Sequence, residues 1–226
     1  MRKQLVIPWL AIAIACNPPL PKVSVAPPVN TAETEIAPDG AADTLLVDAQ
    51  SVDPTIVVDL RYATPNNFTG SPLPGYEANR AFLRREAGAA LARVQRNLRP
   101  RGLSLKIFDA YRPVRATLAM VDWTERVHRS DLLKDGYIAS RSRHNLGLAI
   151  DLTLIEVSSG QELEMGTPFD TFSAAAHTAN ASGLAAVNRQ KLKAAMEAEG
   201  FQNYDQEWWH YTFSVPTPLR FDRPIR

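Results

Sequence analysis

Apolar and polar positions along the chain fall into a small number of recognisable periods. Leu103, Leu105 and Ile107 alternate with Ser104 and Lys106, the two-residue period of a strand with one buried face. The β-branched run Thr55–Leu60 and the apolar run Ala149–Ile155 predict two more strands, and the aromatic stretch Trp208–Phe213 a fourth. Between Ala78 and Leu98 the residues Leu83, Ala87, Ala90, Leu91, Val94 and Leu98 recur at helical spacing, with Pro100 and Gly102 as stop signals. Pro113 suits the first position of a second helix reaching about Val127, and Ser182–Glu199 predicts a third that stops at Gly200. A long loop carrying Pro65, Asn66, Asn67, Gly70, Pro72, Pro74 and Gly75 follows the first strand, and a polar loop with Gly160, Gly166 and Pro168 follows the Ala149 run. Strands and helices alternate only loosely, and two connections are short or loop-only. The expected fold class is therefore α+β, a mostly antiparallel central sheet flanked by helices, rather than a doubly wound parallel sheet.

The first 45 residues have a different texture. Arg2 and Lys3 precede an apolar segment, Leu5–Ala15, that is too short to span a bilayer. The ending Ala13-Ile14-Ala15-Cys16 has the form of a bacterial lipobox at the end of a secretory signal. Pro18, Pro19, Pro21, Pro27, Pro28 and Pro38 then favour an extended linker. The expected division is a lipoprotein signal peptide over 1–15, a proline-rich tether over 16–45 and one globular domain over 46–226. A lipid on Cys16 would make the membrane a partner, on an exported protein facing the periplasm. A net charge of +1 with no basic stripe excludes a nucleic-acid footprint.

Four histidines are present, and two stand in conspicuous contexts. His144 precedes Gly147 and an aspartate, Asp151, that lies between Ile150 and Leu152 in an apolar run. Burying that carboxylate without a partner would be costly; a metal ion is one partner and a salt bridge the other. Glu207 and His210 bracket Trp208 and Trp209. Imidazole and carboxylate suit zinc, and a catalytic zinc site takes three protein ligands and leaves one position open. His144, Asp151 and His210 supply three, Glu207 is the candidate general base, and Arg112, at the end of a strand, is a candidate for stabilising an oxyanion. A regular strand would put Glu207 and His210 on opposite faces, so this reading requires a turn or bulge between them. His128 and His177 are expected at the surface or behind the site.

Ser-x-His-x-x-Gly-x-Ala-x-Asp at 142–151 with Glu-x-x-His at 207–210 resembles the M15 family of zinc D,D-peptidases, and within it the D-Ala-D-Ala dipeptidases of the VanX type. Further strings carry the resemblance in order: Asp59-Leu60-Arg61-Tyr62-Ala63-Thr64, Asn67-Phe68-Thr69-Gly70, Asp109-Ala110-Tyr111-Arg112-Pro113, and Met165-Gly166-Thr167-Pro168-Phe169-Asp170. The resemblance implies the α+β fold shared with the Hedgehog signalling domain and one Zn2+ per chain on His144, Asp151 and His210. It implies Glu207 as catalytic base and Arg112 beside the tetrahedral intermediate, with Ser142, Tyr62 and Asp170 in a small substrate pocket. The implied activity is hydrolysis of D-alanyl-D-alanine, a small dipeptide, in cell-wall turnover or glycopeptide resistance. A D,D-carboxypeptidase acting on stem peptides and a non-catalytic wall-binding lipoprotein are the rival readings. Two departures are a short Arg112–His144 spacing and Ala110 where glycine is common.

Overall fold

The computed structural model describes residues 35–226; the expected signal peptide, Cys16 and most of the tether lie outside the described residues. In chain order the elements are α1 (Asp39–Leu45), β1 (Leu46–Asp48), α2 (Ala49–Val52), β2 (Val57–Val58), β3 (Phe82–Arg84), α3 (Arg85–Leu98), β4 (Leu103–Asp109), α4 (Val114–Arg126), α5 (Asp131–Lys134), β5 (Ala149–Glu156), α6 (Gly183–Glu197), β6 (Gln202–Asn203) and β7 (His210–Thr212). Five strands form one sheet in the order β2-β4-β5-β7-β6, and β1 pairs with β3 in a second, two-stranded sheet. Only the β2–β4 pairing in the large sheet is parallel; β4–β5, β5–β7 and β6–β7 are antiparallel. The α+β class with a mostly antiparallel sheet is as the element pattern predicts.

The sheet is centred on β4 and β5, whose residues are buried along nearly their whole length. Helix α3 packs against β4 and against β1 and β3 of the second sheet. A Cβ at Gly88 would stand 2.7 Å from the Val47 side chain, so this helix face is fitted to β1. Gln95, fully buried, joins α3 to β4: its Oε1 accepts from the Leu105 amide at 2.9 Å while its Nε2 donates to Ser104 Oγ at 2.7 Å and Thr55 Oγ1 at 2.8 Å. A buried amide is tolerated here because its donors and acceptor are satisfied.

Three sequence expectations change. The helix expected from Ala78 begins at Arg85, because Phe82–Arg84 pairs with β1 and Arg84 takes an extended ψ of 142°. Leu83 lies at helical distance from Ala87 yet is buried as a strand residue. The aromatic strand starts at His210: Trp208 and Trp209 form a turn in which the His210 N–H donates to the Glu207 carbonyl at 3.2 Å. Finally, α1 lies in the stretch read as tether. Its Ala42 is buried, Asp43 pairs with Arg223 at 2.6 Å, and the Ala37 N–H donates to the Arg220 carbonyl.

The β4–β5 ladder is irregular between Ile107 and Asp109. Ile107 faces Leu152, but Asp109 faces Asp151, so Phe108 is the extra residue of a bulge. Without it Asp109 would sit opposite Ile150 and point to the other side of the sheet. The bulge brings Asp109 to the face that carries Asp151, and β7 adds His210 directly across from Asp151 on the same face.

Gly147 joins the two sheets just ahead of β5. It has φ +65°, its carbonyl accepts from the Arg84 amide at 2.8 Å, and a Cβ there would lie 2.6 Å from Leu46 and 3.1 Å from the Arg84 nitrogen. Gly147→Ala is therefore expected to cost about 2 kcal/mol, from a disfavoured backbone and a clash with little room to relax. Chemical denaturation of the purified variant measures this.

Candidate metal and substrate site

The register sets the positions, and short loops complete them. Asp151 and His210 come from the paired strands β5 and β7. His144 is carried by a 3-10 turn, Arg143–Leu146, entered through Ser142, whose Oγ accepts from the His144 amide at 3.2 Å. The His144 ring is aimed from behind: its Nδ1 lies 2.6 Å from the Ala110 carbonyl, so that nitrogen holds the proton and Nε2 keeps its lone pair toward the site.

Three donor atoms converge. His144 Nε2 is 3.2 Å from His210 Nδ1 and 3.3 Å from Asp151 Oδ2, and His210 Nδ1 is 2.9 Å from Asp151 Oδ1. Ligand atoms on a tetrahedron around zinc, with bonds of about 2.0 Å, stand about 3.3 Å apart. The spacings in the set are of that order, and two imidazoles with one carboxylate are the donor chemistry such an ion takes. Burial opposes protonation of His210, which leaves its ring in the neutral, ligating form. Burial also raises the Asp151 carboxyl, but the two imidazoles beside it outweigh this and hold the carboxyl well below its ordinary range.

Glu207 sits at the other end of the tryptophan turn, with Oε2 3.8 Å from His210 Nδ1. The turn removes the two-face difficulty of a regular strand. Asn203 holds it, donating from Nδ2 to the carbonyls of Glu207 at 3.1 Å and His210 at 3.0 Å. Burial first, and then the charges of Asp151 and Asp170, push the Glu207 carboxyl well above the ordinary range, against the opposing charge of Arg112. Its raised affinity for a proton is what a general base near neutral pH requires.

Arg112 is fixed by Asp109, which no part of the sequence reading singled out as functional. Both Nε, at 2.9 Å, and Nη2, at 2.7 Å, donate to Asp109 Oδ2, and Nη2 reaches to within 3.8 Å of Asp151. Tyr76 donates to the other Asp109 oxygen at 2.5 Å. Arg112 also stacks over the Tyr62 ring, 5.1 Å from its centre, and Nη1 lies 3.2 Å from Met120 Sδ. A visible signal existed, since Asp109 and Arg112 are three residues apart at a strand end. Asn203 and Arg189 carried no comparable signal.

Asp170 closes another wall. Tyr62 Oη lies 3.1 Å from both of its carboxylate oxygens, and its backbone has φ +60°, unusual outside glycine. Burial raises its carboxyl, the charge of Asp151 adds to this, and the Tyr62 hydrogen bond opposes it. Arg189, buried in α6, pins the surrounding loop by donating to the carbonyls of Met165, Ala175 and His177. All eight residues singled out from the sequence, Tyr62, Arg112, Ser142, His144, Asp151, Asp170, Glu207 and His210, line one cavity of about 700 Å³. His128 lies exposed away from it, and His177 shares a hydrogen bond with Tyr137 at its margin.

Residues 42–221 match the Peptidase_M15 family model, described as D-Ala-D-Ala dipeptidase. A D-alanyl-D-alanine dipeptidase of Enterococcus faecium is 36% identical over 186 residues, covering 74% of this chain and 92% of that protein. One from Enterococcus faecalis (strain ATCC 700802 / V583) is 38% identical over 168 residues, covering 68% and 83%. A solved structure of the vancomycin resistance D,D-dipeptidase VanXYg, in complex with a D-Ala-D-Ala phosphinate analogue, aligns with a TM-score of 0.39 at 18% identity, covering 76% of this chain and 68% of that one.

The Asp109–Arg112 pair is buried on both sides, so removing one charge leaves the other without compensation. Asp109→Asn is expected to lower stability by about 3 kcal/mol. Urea denaturation beside the parent protein checks it; a change under about 0.5 kcal/mol would mean that Asp109 is not what balances Arg112.

Proposed function

Since the chain belongs to the Peptidase_M15 family of D-Ala-D-Ala dipeptidases, which are metallopeptidases, we propose that it hydrolyses free D-alanyl-D-alanine to two D-alanines with one zinc ion held by His144, Asp151 and His210. The observation that carries this reading is the convergence of His144 Nε2, His210 Nδ1 and the Asp151 carboxylate at 2.9–3.3 Å spacing in a cavity that also holds Glu207 and Arg112. A zinc ion held by these three residues would supply a water with its pKa lowered to about 7 and a Lewis acid for the scissile carbonyl. Glu207 takes the proton released as the water oxygen bonds to that carbonyl carbon, and returns it to the departing amine when the C–N bond breaks. Arg112, locked in orientation by Asp109, places a permanent positive charge where the carbonyl oxygen becomes an oxyanion. Tyr62 and Asp170 form the end of the pocket that meets the substrate ammonium, and Ser142 lies on the loop carrying His144. The exported, Cys16-lipidated form is part of the same proposal and rests on the amino-terminal sequence pattern.

Protein purified without added metal is expected to contain one zinc per chain by elemental analysis and to lose activity with a chelator. Glu207→Ala should reduce turnover at least about 10²-fold while keeping most of its zinc, whereas His210→Ala should lose zinc as well. Equal zinc loss in the two variants would make Glu207 a ligand instead of a base.

The ammonium end makes a second, separate expectation. A blocked amino group leaves Asp170 shielded from water without a cationic partner, which costs several kcal/mol. N-acetyl-D-Ala-D-Ala is then expected to be cleaved at least about 10³-fold less efficiently than the free dipeptide, at about 1.4 kcal/mol per decade. Equal rates on both would mean an open site of the carboxypeptidase kind.

A further inference from the structure

The cavity contains three arginines, and only one of them is explained by the chemistry above. Arg112 is paired with Asp109 and Asp151. Arg141 and Arg143 line the same cavity from the loop that enters the His144 turn, and both are exposed. Among the described residues neither is in an ion pair with a carboxylate. Among the described residues the one side-chain hydrogen bond of Arg143 runs from Nη2 to the Phe213 carbonyl at 3.3 Å, and the Arg141 side chain makes none. Behind them stands Arg220, again with no carboxylate partner; burial first, and then the nearby charge of Arg141, lower its affinity for its proton. Arg141 and Arg143 thus stand on the cavity wall with no carboxylate partner among the described residues, and Arg220 adds a like charge near Arg141.

Position limits what this charge can serve. Arg143 is the chain neighbour of His144 and Arg141 is three residues from it, and both line the cavity that holds the donor set. The acids of the cavity face other groups: Asp151 contacts both imidazoles, Asp170 contacts Tyr62, Glu207 lies against His210, and the exposed Asp205 lies 3.8 Å from Lys193. A free dipeptide brings one positive and one negative end. We propose that Arg141 and Arg143 form a cationic rim that takes the free carboxylate of the substrate, so that the site reads both ends of a zwitterion. This deepens the dipeptidase reading and rests on it for the identity of the ligand. It adds a second reason for preferring a short free peptide: the carboxylate must lie close to the bond being cut.

The rim is tested by comparing D-Ala-D-Ala with its C-terminal amide, which keeps the ammonium and the scissile bond but lacks the negative charge. In the parent protein the acid should be the better substrate, and its advantage over the amide should shrink with rising salt, as screening weakens both the rim's hold on the carboxylate and its repulsion of the cationic amide. In Arg141→Ala/Arg143→Ala, kcat/KM for the acid should drop about tenfold or more, mainly through KM, with the amide unchanged within about twofold. Arg141→Lys/Arg143→Lys should recover most of the loss, because a positive charge is what is needed. Equal losses on acid and amide would make the arginines structural, and no loss on either would remove the rim. A second measurement separates this proposal from the one beneath it: calorimetric binding of acid and amide to Glu207→Ala protein, with and without the paired alanines. Binding selective for the acid, with no turnover in the parent protein, would sink the hydrolytic reading and keep the rim. Binding that does not distinguish acid from amide would overturn the rim even in an active dipeptidase.

Discussion

Two aspartates held opposite one another on a buried sheet face are what the rest of this molecule has to accommodate. Asp109 and Asp151 face each other across β4 and β5, at positions almost closed to water. Like charges so placed repel, and burial multiplies the penalty. Compensation comes from several directions: Arg112 and Tyr76 on Asp109, and His144 and His210 on Asp151. Each compensating group is in turn held by something further back, such as the Ala110 carbonyl on His144 and Asn203 on the turn leading to His210. A site of this kind is prepared by the fold, since its groups cannot wander without leaving a carboxylate unpaired.

How much of this was legible in the sequence follows from where the information lay. Asp151 was conspicuous because one charge interrupts an apolar run, and a run that long is buried whatever surrounds it. The need for a turn between Glu207 and His210 could be stated from strand periodicity alone, and the turn lies there. Leu83 misled, because a buried strand residue can stand at helical distance from the next helix by coincidence, and a three-residue strand such as β3 is too short to show its own period. Residues 39–45 misled for a related reason. A single alanine packing under one turn of helix leaves no pattern beside a proline-rich neighbour.

Asn203 and Arg189 were out of reach in a different way, and Asp109, though its spacing from Arg112 at a strand end was visible, could not be given its partners. Each acts by hydrogen-bonding to groups whose nearness is a product of folding: Arg189 to carbonyls 12 to 24 positions away in the chain, and Asp109 to a tyrosine 33 positions before it. The bulge at Phe108 is the clearest case. Nothing in Ile107-Phe108-Asp109 distinguishes a regular strand from one with an extra residue, yet that residue decides which face Asp109 occupies. Side-chain type could be read one position at a time, whereas facing could not.

The backbone of Asp170 leads to a different kind of consequence. At φ +60° it is held where glycine rests comfortably and other side chains do not, asparagine and aspartate being the least disfavoured. Replacement by glycine would relax the loop while deleting the carboxylate that faces Tyr62. If Asp170 meets the substrate ammonium as proposed, the position sets conformational ease against selectivity: a chain drifting toward greater robustness would be drawn to the smaller residue and would lose discrimination as it gained stability.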